Sequence, residues 1–275
     1  MRIITLMEDT AVSEQYACGH GLCFYIETKN HKILFDMGPD ARFLDNAVKL
    51  GVDISKVDTA ILSHGHYDHG GGLKAFLQAN ATACVHLQKK AFGEFYSKRE
   101  DGEYHYIGLP MELKEHPRIV VHTGDYMLDA GMQIFGGVTG RDCYSPANDR
   151  LFMSINGRYI QDLFMHEQNL LIKEGNKMVL MAGCAHNGMV NILNKARTFA
   201  PGGIHAVIGG MHLVKAYPER EQRKMLAKKM ADRLREQSCS FYTCHCTGTE
   251  AYGDLHEELG SQIHYLAAGS VLEIS

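Results

Sequence analysis

The chain has 275 residues, of which 45% are hydrophobic and 22% charged, and a formal net charge of −4. That length can bury a substantial core, and the charge balance excludes the basic field that nucleic acid or an anionic membrane would require. No apolar run approaches the roughly eighteen residues that span a bilayer, and the start, Met1-Arg2-Ile3-Ile4, lacks the long apolar segment of a signal peptide. Eight scattered cysteines in a chain this large read as reduced thiols, so a cytoplasmic protein acting on a small molecule is expected.

In chain order, residues 2–8 read as a strand, followed by strands over 22–27 and 32–36 around a Lys29-Asn30 turn. Residues 41–50 carry apolar side chains at helical spacing and stop at Gly51. A short apolar strand over 57–62 runs into Ser63-His64-Gly65-His66, and the triple glycine 70–72 opens a helix through Leu77. Residues 88–117, polar and aromatic, read as an insertion into a single domain spanning 1–275. Strands follow near 119–122, 126–128 and 133–135, and 139–166 reads as a long loop of the kind that carries function. A hairpin (169–173, 178–181), a helix over 189–199, a strand over 205–208 and a charged helix over 219–235 come next. A strand over 241–242, a helix over 249–259 and a strand over 263–274 complete the chain. Two sheets packed together with helices outside are expected from this order.

The chemistry concentrates in Ser63-His64-Gly65-His66-Tyr67-Asp68-His69-Gly70-Gly71-Gly72. Four ligand-type side chains fall within six residues, and imidazole with carboxylate suits zinc or a similar divalent ion. His64 and His66, two apart, point the same way on an extended backbone. Asp68 and His69 follow a turn and can face another side of that ion or a second one. The glycines allow tight turns, including positive φ. No phosphate-binding loop, dinucleotide fingerprint or serine-hydrolase elbow is present.

His-x-His-x-Asp-His after a strand resembles the second motif of the metallo-β-lactamase superfamily. Asp36, in Leu34-Phe35-Asp36-Met37-Gly38, resembles the aspartate that holds the metal loop from behind. His186, in Gly183-Cys184-Ala185-His186, and His245, in Cys244-His245-Cys246, resemble its later ligands. The resemblance implies an α/β (α+β) fold, the four-layer αββα sandwich of two mixed sheets flanked by helices. It implies one or two divalent ions, zinc foremost and manganese or iron as alternatives. His64, His66 and His186 would hold one, and Asp68, His69 and His245 the other. The superfamily's bridging aspartate is replaced here by His212, in Gly209-Gly210-Met211-His212-Leu213, and a neutral imidazole cannot bridge two ions. His212 is then a terminal ligand or an acid–base group.

Stretches from Glu8-Asp9-Thr10 to His245-Cys246-Thr247-Gly248 further resemble a subfamily named for 7,8-dihydropterin-6-yl-methyl-4-(β-D-ribofuranosyl)aminobenzene 5′-phosphate synthase. The superfamily implies a hydrolase in which metal-activated water attacks an ester, phosphoester, thioester or lactone, with Asp68 positioning the water and His212 or His20 serving the leaving group. The subfamily implies instead a transferase that condenses a dihydropterin with a ribofuranosylaminobenzene phosphate. A non-catalytic metal-binding protein is the third reading. The loop 9–21 is expected to overhang the metals, which makes His20 a candidate substrate contact, and Arg141 is a candidate for an anionic substrate group. His166 reads as a structural hydrogen-bonding residue. Cys184 and Cys246 read as buried fillers behind the imidazoles or as soft ligands. The sequence leaves the oligomeric state open.

Overall fold

The computed structural model describes every residue except Lys215, Tyr217 and Pro218, and its chain divides into two compact units. The first comprises residues 1–124, 151–168 and 266–275; the second comprises 125–150 and 169–265.

The first unit is built on a seven-stranded mixed sheet. Its order is Val271–Glu273, Arg2–Met7, Cys23–Glu27, Lys32–Phe35, Thr59–Ile61, Cys84–Gln88 and Ile119–His122. The first three pairings are antiparallel and the last three parallel. The central strands are buried on both faces, so they read as apolar runs (Phe24, Ile26, Ile33, Phe35, Ile61) rather than as alternation. Helices Arg42–Lys49 and Leu73–Ala79 bury Phe43 and Phe76 completely, and each such ring stabilises the unit by roughly 2–3 kcal/mol.

The second unit has its own seven-stranded sheet, ordered Ile263–Tyr265, Ser240–Thr243, Ala206–Ile208, Lys177–Met181, Gln168–Glu174, Met132–Gly136 and Tyr126–Met127. Three successive pairings, from Lys177–Met181 to Ile263–Tyr265, are parallel. Helices Met189–Phe199, Arg220–Arg235 and Thr249–Leu259 contribute Ile192, Met230, Leu234 and Leu255 to its core.

Three expectations change. Residues 139–166 are not one long loop: Leu151–Ile155 and Arg158–Gln161 form a hairpin. Its turn is Asn156-Gly157, both with positive φ (53° and 74°), the dipeptide that two-residue hairpins favour. With Phe95–Lys98 and Tyr104–Tyr106 the hairpin makes a separate four-stranded sheet, so residues 88–117 hold two strands. Residues 263–274 are not one strand either. Ile263–Tyr265 and Val271–Glu273 belong to different sheets, and Gly269 at φ 91° ends the extended run between them. Finally, strand Cys84–Gln88, in which buried Val85 and Leu87 alternate with half-buried Cys84 and His86, falls where no strand was expected.

Candidate metal centre

In each unit the candidate ligands sit just beyond the carboxyl ends of parallel strands, where loops converge and ligands commonly bind in open α/β sheets. Asp36 follows Lys32–Phe35, and the His64 cluster follows Thr59–Ile61. In the second unit His186, His212 and His245 follow Lys177–Met181, Ala206–Ile208 and Ser240–Thr243. A parallel sheet thus gathers side chains that are up to sixty residues apart.

The first unit brings one ligand atom each of His64, His66 and Asp68 within 4.8 Å of one another. His69 lies beside them, its Nε2 3.7 Å from Asp68 Oδ2. Asp36, fully buried, organises this loop. Its Oδ1 accepts the Ser63 amide (2.7 Å), and its Oδ2 accepts the Ser63 hydroxyl (2.8 Å) and His69 Nδ1–H (2.7 Å). Because the Ser63 hydroxyl is spent on Asp36, its oxygen accepts from His64 Nδ1 (2.8 Å). Both rings therefore carry their proton on Nδ1 and present the Nε2 lone pair, the tautomer a metal ligand needs. Burial, reinforced by the neighbouring His166, depresses His66 to a pKa of about 3 and keeps that ring neutral.

His166 serves the same loop without being a ligand. Its Nδ1 accepts the Gly65 amide at 3.0 Å, so Nε2–H donates to Asp162 Oδ2, also at 3.0 Å. Burial alone would raise the Asp162 pKa, but His166 and the Phe164 amide more than offset it and hold the carboxyl below its usual range.

The glycines act by close approach and not by positive φ, contrary to one sequence expectation. Gly65 and Gly72 lie outside the left-handed region. A Cβ on Gly65 would stand 2.1 Å from Ala91 O, and one on Gly72 2.1 Å from Met37 O. Five of the left-handed residues, Asp36, Phe164, Ala185, His212 and His245, instead lie in loops that carry a candidate ligand or its support. Such a conformation costs roughly 1–2 kcal/mol per non-glycine residue.

His20 is half exposed and bridges two carboxylates, with Nδ1 3.1 Å from Asp9 Oδ2 and Nε2 3.3 Å from Asp68 Oδ2. Its loop is pinned by buried Asn46, whose Nδ2 donates to Leu6 O and Ala17 O and whose Oδ1 accepts the Ala17 amide. His20 is thus tied to Asp68 and is more than a free arm toward substrate.

In the second unit His186 Nδ1 lies 2.9 Å from Asn148 Oδ1, and Asn148 Nδ2 donates to His186 O at 2.8 Å. The second bond fixes the amide orientation, so His186 donates from Nδ1 and presents Nε2. The His212 ring packs on His186 with centroids 4.2 Å apart, and both its nitrogens are shielded from water beside the Cys246 thiol. Ligand atoms of Cys184, His212 and Cys246 lie within 4.8 Å of one another. Burial pushes the Cys246 thiol up, but the adjacent Cys184 and the imidazoles outweigh it and lower its pKa well below the usual value. Arg141 stays outside this group; it is exposed and stacks its guanidinium 4.4 Å from the Tyr144 ring centroid.

Imidazole with carboxylate in one unit, and imidazole with thiol in the other, is a donor chemistry that fits a divalent transition ion. Sequence reasoning gave Ser63, Asn148 and Asp162 no role: Ser63 and Asn148 hold candidate ligand rings, and Asp162 holds His166. Ser63 opens the motif itself, whereas nothing local marks Asn148.

The chain has the metallo-β-lactamase fold. The family model described as the metallo-beta-lactamase superfamily matches residues 16–140. The structure of Tm1679, described as a metal-dependent hydrolase of the beta-lactamase superfamily, is 29% identical with a TM-score of 0.83, covering 100% of this chain and 99% of that one. Two proteins of Methanocaldococcus jannaschii are similar over 99% of this chain. One is an uncharacterized protein, 27% identical and covered over 99% of its length. The other is named 7,8-dihydropterin-6-methyl-4-(beta-D-ribofuranosyl)-aminobenzene-5′-phosphate synthase, 28% identical and covered over 96%. Zinc-bound PqqB from Methylobacterium extorquens, 8% identical with a TM-score of 0.54 and full coverage of both chains, shares the fold alone. Among the described residues, no helix is long and apolar enough to cross a membrane.

Proposed function

We propose that the protein is a metal-dependent hydrolase acting on an ester, phosphoester or lactone of a small molecule. The observation that carries this reading is the triad His64, His66 and Asp68, whose ligand atoms gather within 4.8 Å. Following the superfamily pattern, His64, His66 and His186 hold one cation, and Asp68, His69 and His245 a second, with zinc the preferred ion. When bound, the cation supplies Lewis acidity, making water more acidic and polarising the acyl or phosphoryl oxygen.

The chain's own residues do the rest. Asp36 and Asn148 keep the His64, His69 and His186 tautomers fixed, so no ring must reorganise during turnover. Asp68 Oδ2 takes up a proton from the attacking water, and His20 Nε2, 3.3 Å away, relays it to solvent from a half-exposed ring oriented by Asp9. His212 protonates the leaving group. Arg141 reaches an anionic group of the substrate.

A second reading has one specific support, the 28% identity over 99% of this chain to the named pterin synthase. In it the same residues activate a pterin leaving group toward an arylamine ribotide.

The test is to replace His66 and His186 separately by alanine and measure metal content together with turnover on an ester, phosphoester and lactone panel. Both should fall together in both variants; full activity in both would refute the proposal. Tight metal binding with no turnover of any substrate in the wild type would favour a non-catalytic role. Product analysis with both pterin-pathway substrates, against a water-only control, separates hydrolysis from condensation.

A further inference from the structure

The stretch 209–213 offers His212 where the resemblance places a bridging aspartate, which leaves open what links two cations. Cys184, in the turn after Lys177–Met181, is 2% exposed. Its Sγ lies within 4.8 Å of a ring nitrogen of His186 and, separately, within 4.8 Å of one of His245. By the proposed assignment these two histidines serve different cations. A sulfur and a nitrogen on one tetrahedral zinc stand about 3.6 Å apart, given bonds of roughly 2.3 and 2.05 Å, so a side-chain adjustment of about 1.2 Å at most brings either pair to coordination distance. Thiolate sulfur has lone pairs enough for two cations, whereas a neutral imidazole has one.

Cys246, the other nearby thiol, is otherwise engaged. Its Sγ accepts the His212 amide at 3.3 Å, donates to Cys184 O at 3.5 Å and packs against Gly210, where an added Cβ would come within 2.4 Å of it. These contacts hold the sulfur to backbone on one side, with the Cys184 and His212 side chains on the other.

We propose that Cys184 is a metal ligand shared by the cation of His186 and the cation of His245, standing in for the missing bridging carboxylate. Binding forms two sulfur–metal bonds and releases the Sγ proton to solvent. Cys246 buttresses it, and His212 faces substrate. The inference rests on the proposed metal-enzyme reading.

The test is to strip the full-length protein and reload it with cobalt(II). Metal equivalents and the near-ultraviolet sulfur-to-cobalt charge-transfer band are recorded for wild type, Cys184→Ser, Cys184→Asp and Cys246→Ser. The band is expected in wild type and Cys246→Ser. Cys184→Ser should lose it and bind the second equivalent at least about tenfold more weakly. Cys184→Asp should keep both equivalents without the band. Cobalt bound by wild type without the band, or a band that survives in Cys184→Ser, overturns the assignment even if that variant is the only one to fold. Failure of wild type to retain any cobalt would instead sink the metal-enzyme reading itself, and this inference with it.

Discussion

Replacing Asp36 by asparagine tests the scaffold beneath the ligands. The Asp36 carboxylate accepts three hydrogen bonds inside the first unit, two of them at Oδ2. In the variant Oδ1 can still accept the Ser63 amide, but an NH2 group then faces the Ser63 hydroxyl and His69 Nδ1–H. Two bonds to a charged acceptor are lost, each worth about 1.5–3 kcal/mol, and a buried donor is left facing another. The expected destabilisation is about 3–5 kcal/mol. Asparagine tolerates the left-handed backbone at φ 60° nearly as well as aspartate, so the loss reports hydrogen bonding and not backbone strain. Asp36→Ala should lose about 1 kcal/mol more, because alanine pays the left-handed penalty in addition. His69 and His64 also lose the constraint on their tautomers, which should weaken zinc binding by about 10–100-fold. Chemical unfolding of the metal-free protein at pH 7 and zinc titration against a chromophoric chelator measure the two effects. An Asp36→Asn protein within 0.5 kcal/mol of wild type, with unchanged zinc affinity, would refute the reasoning.

Gly65→Ala places a methyl carbon 2.1 Å from Ala91 O, a backbone atom that cannot swing aside; about 3 kcal/mol should be lost, lowering the melting temperature by roughly 6–12 °C, and a change of under one degree would contradict it. His86 Nδ1 and His122 Nε2 lie 2.8 Å apart, and burial, then His122, depresses His86 to a pKa of about 4. A folded pKa below the unfolded value of about 6.5 means the contribution is complete above that pH and is lost as pH falls toward 4. Since the ring is partly exposed, the loss should be about 1–2 kcal/mol, and it should shrink in His86→Gln when unfolding is compared at pH 7 and 4.5; parallel profiles for both proteins would count against it. Arg223 Nε donates to buried Asp254 at 2.7 Å, joining helices Arg220–Arg235 and Thr249–Leu259. Arg223→Ala should therefore cost about 1–3 kcal/mol by stranding that carboxylate, whereas Arg235→Ala, whose partners are on the surface, should change stability by less than about 1 kcal/mol.

The sequence determined most of the elements and picked out the candidate ligands. Helices Met189–Phe199 and Thr249–Leu259 have the bounds that periodicity predicts, because local spacing of apolar residues is what makes a helix amphipathic. The cluster from His64 to His69 was legible for the same reason: four ligand-type side chains within six residues are a local signal. The Asn156-Gly157 hairpin was equally local and was there to be read.

Other features exist only after folding. Asn148 is chosen as the partner of His186, and His166 as the partner of Gly65 across 101 residues, by loops meeting in space. Residues 263–274 look like one strand, yet they split between two sheets because pairing partners, and not propensity, decide where extended chain goes. The glycines of the metal loop look like turn-formers, but their backbones are ordinary. What forbids a side chain there is the carbonyl oxygen of a distant segment, and sequence carries no record of that distance until the chain is packed.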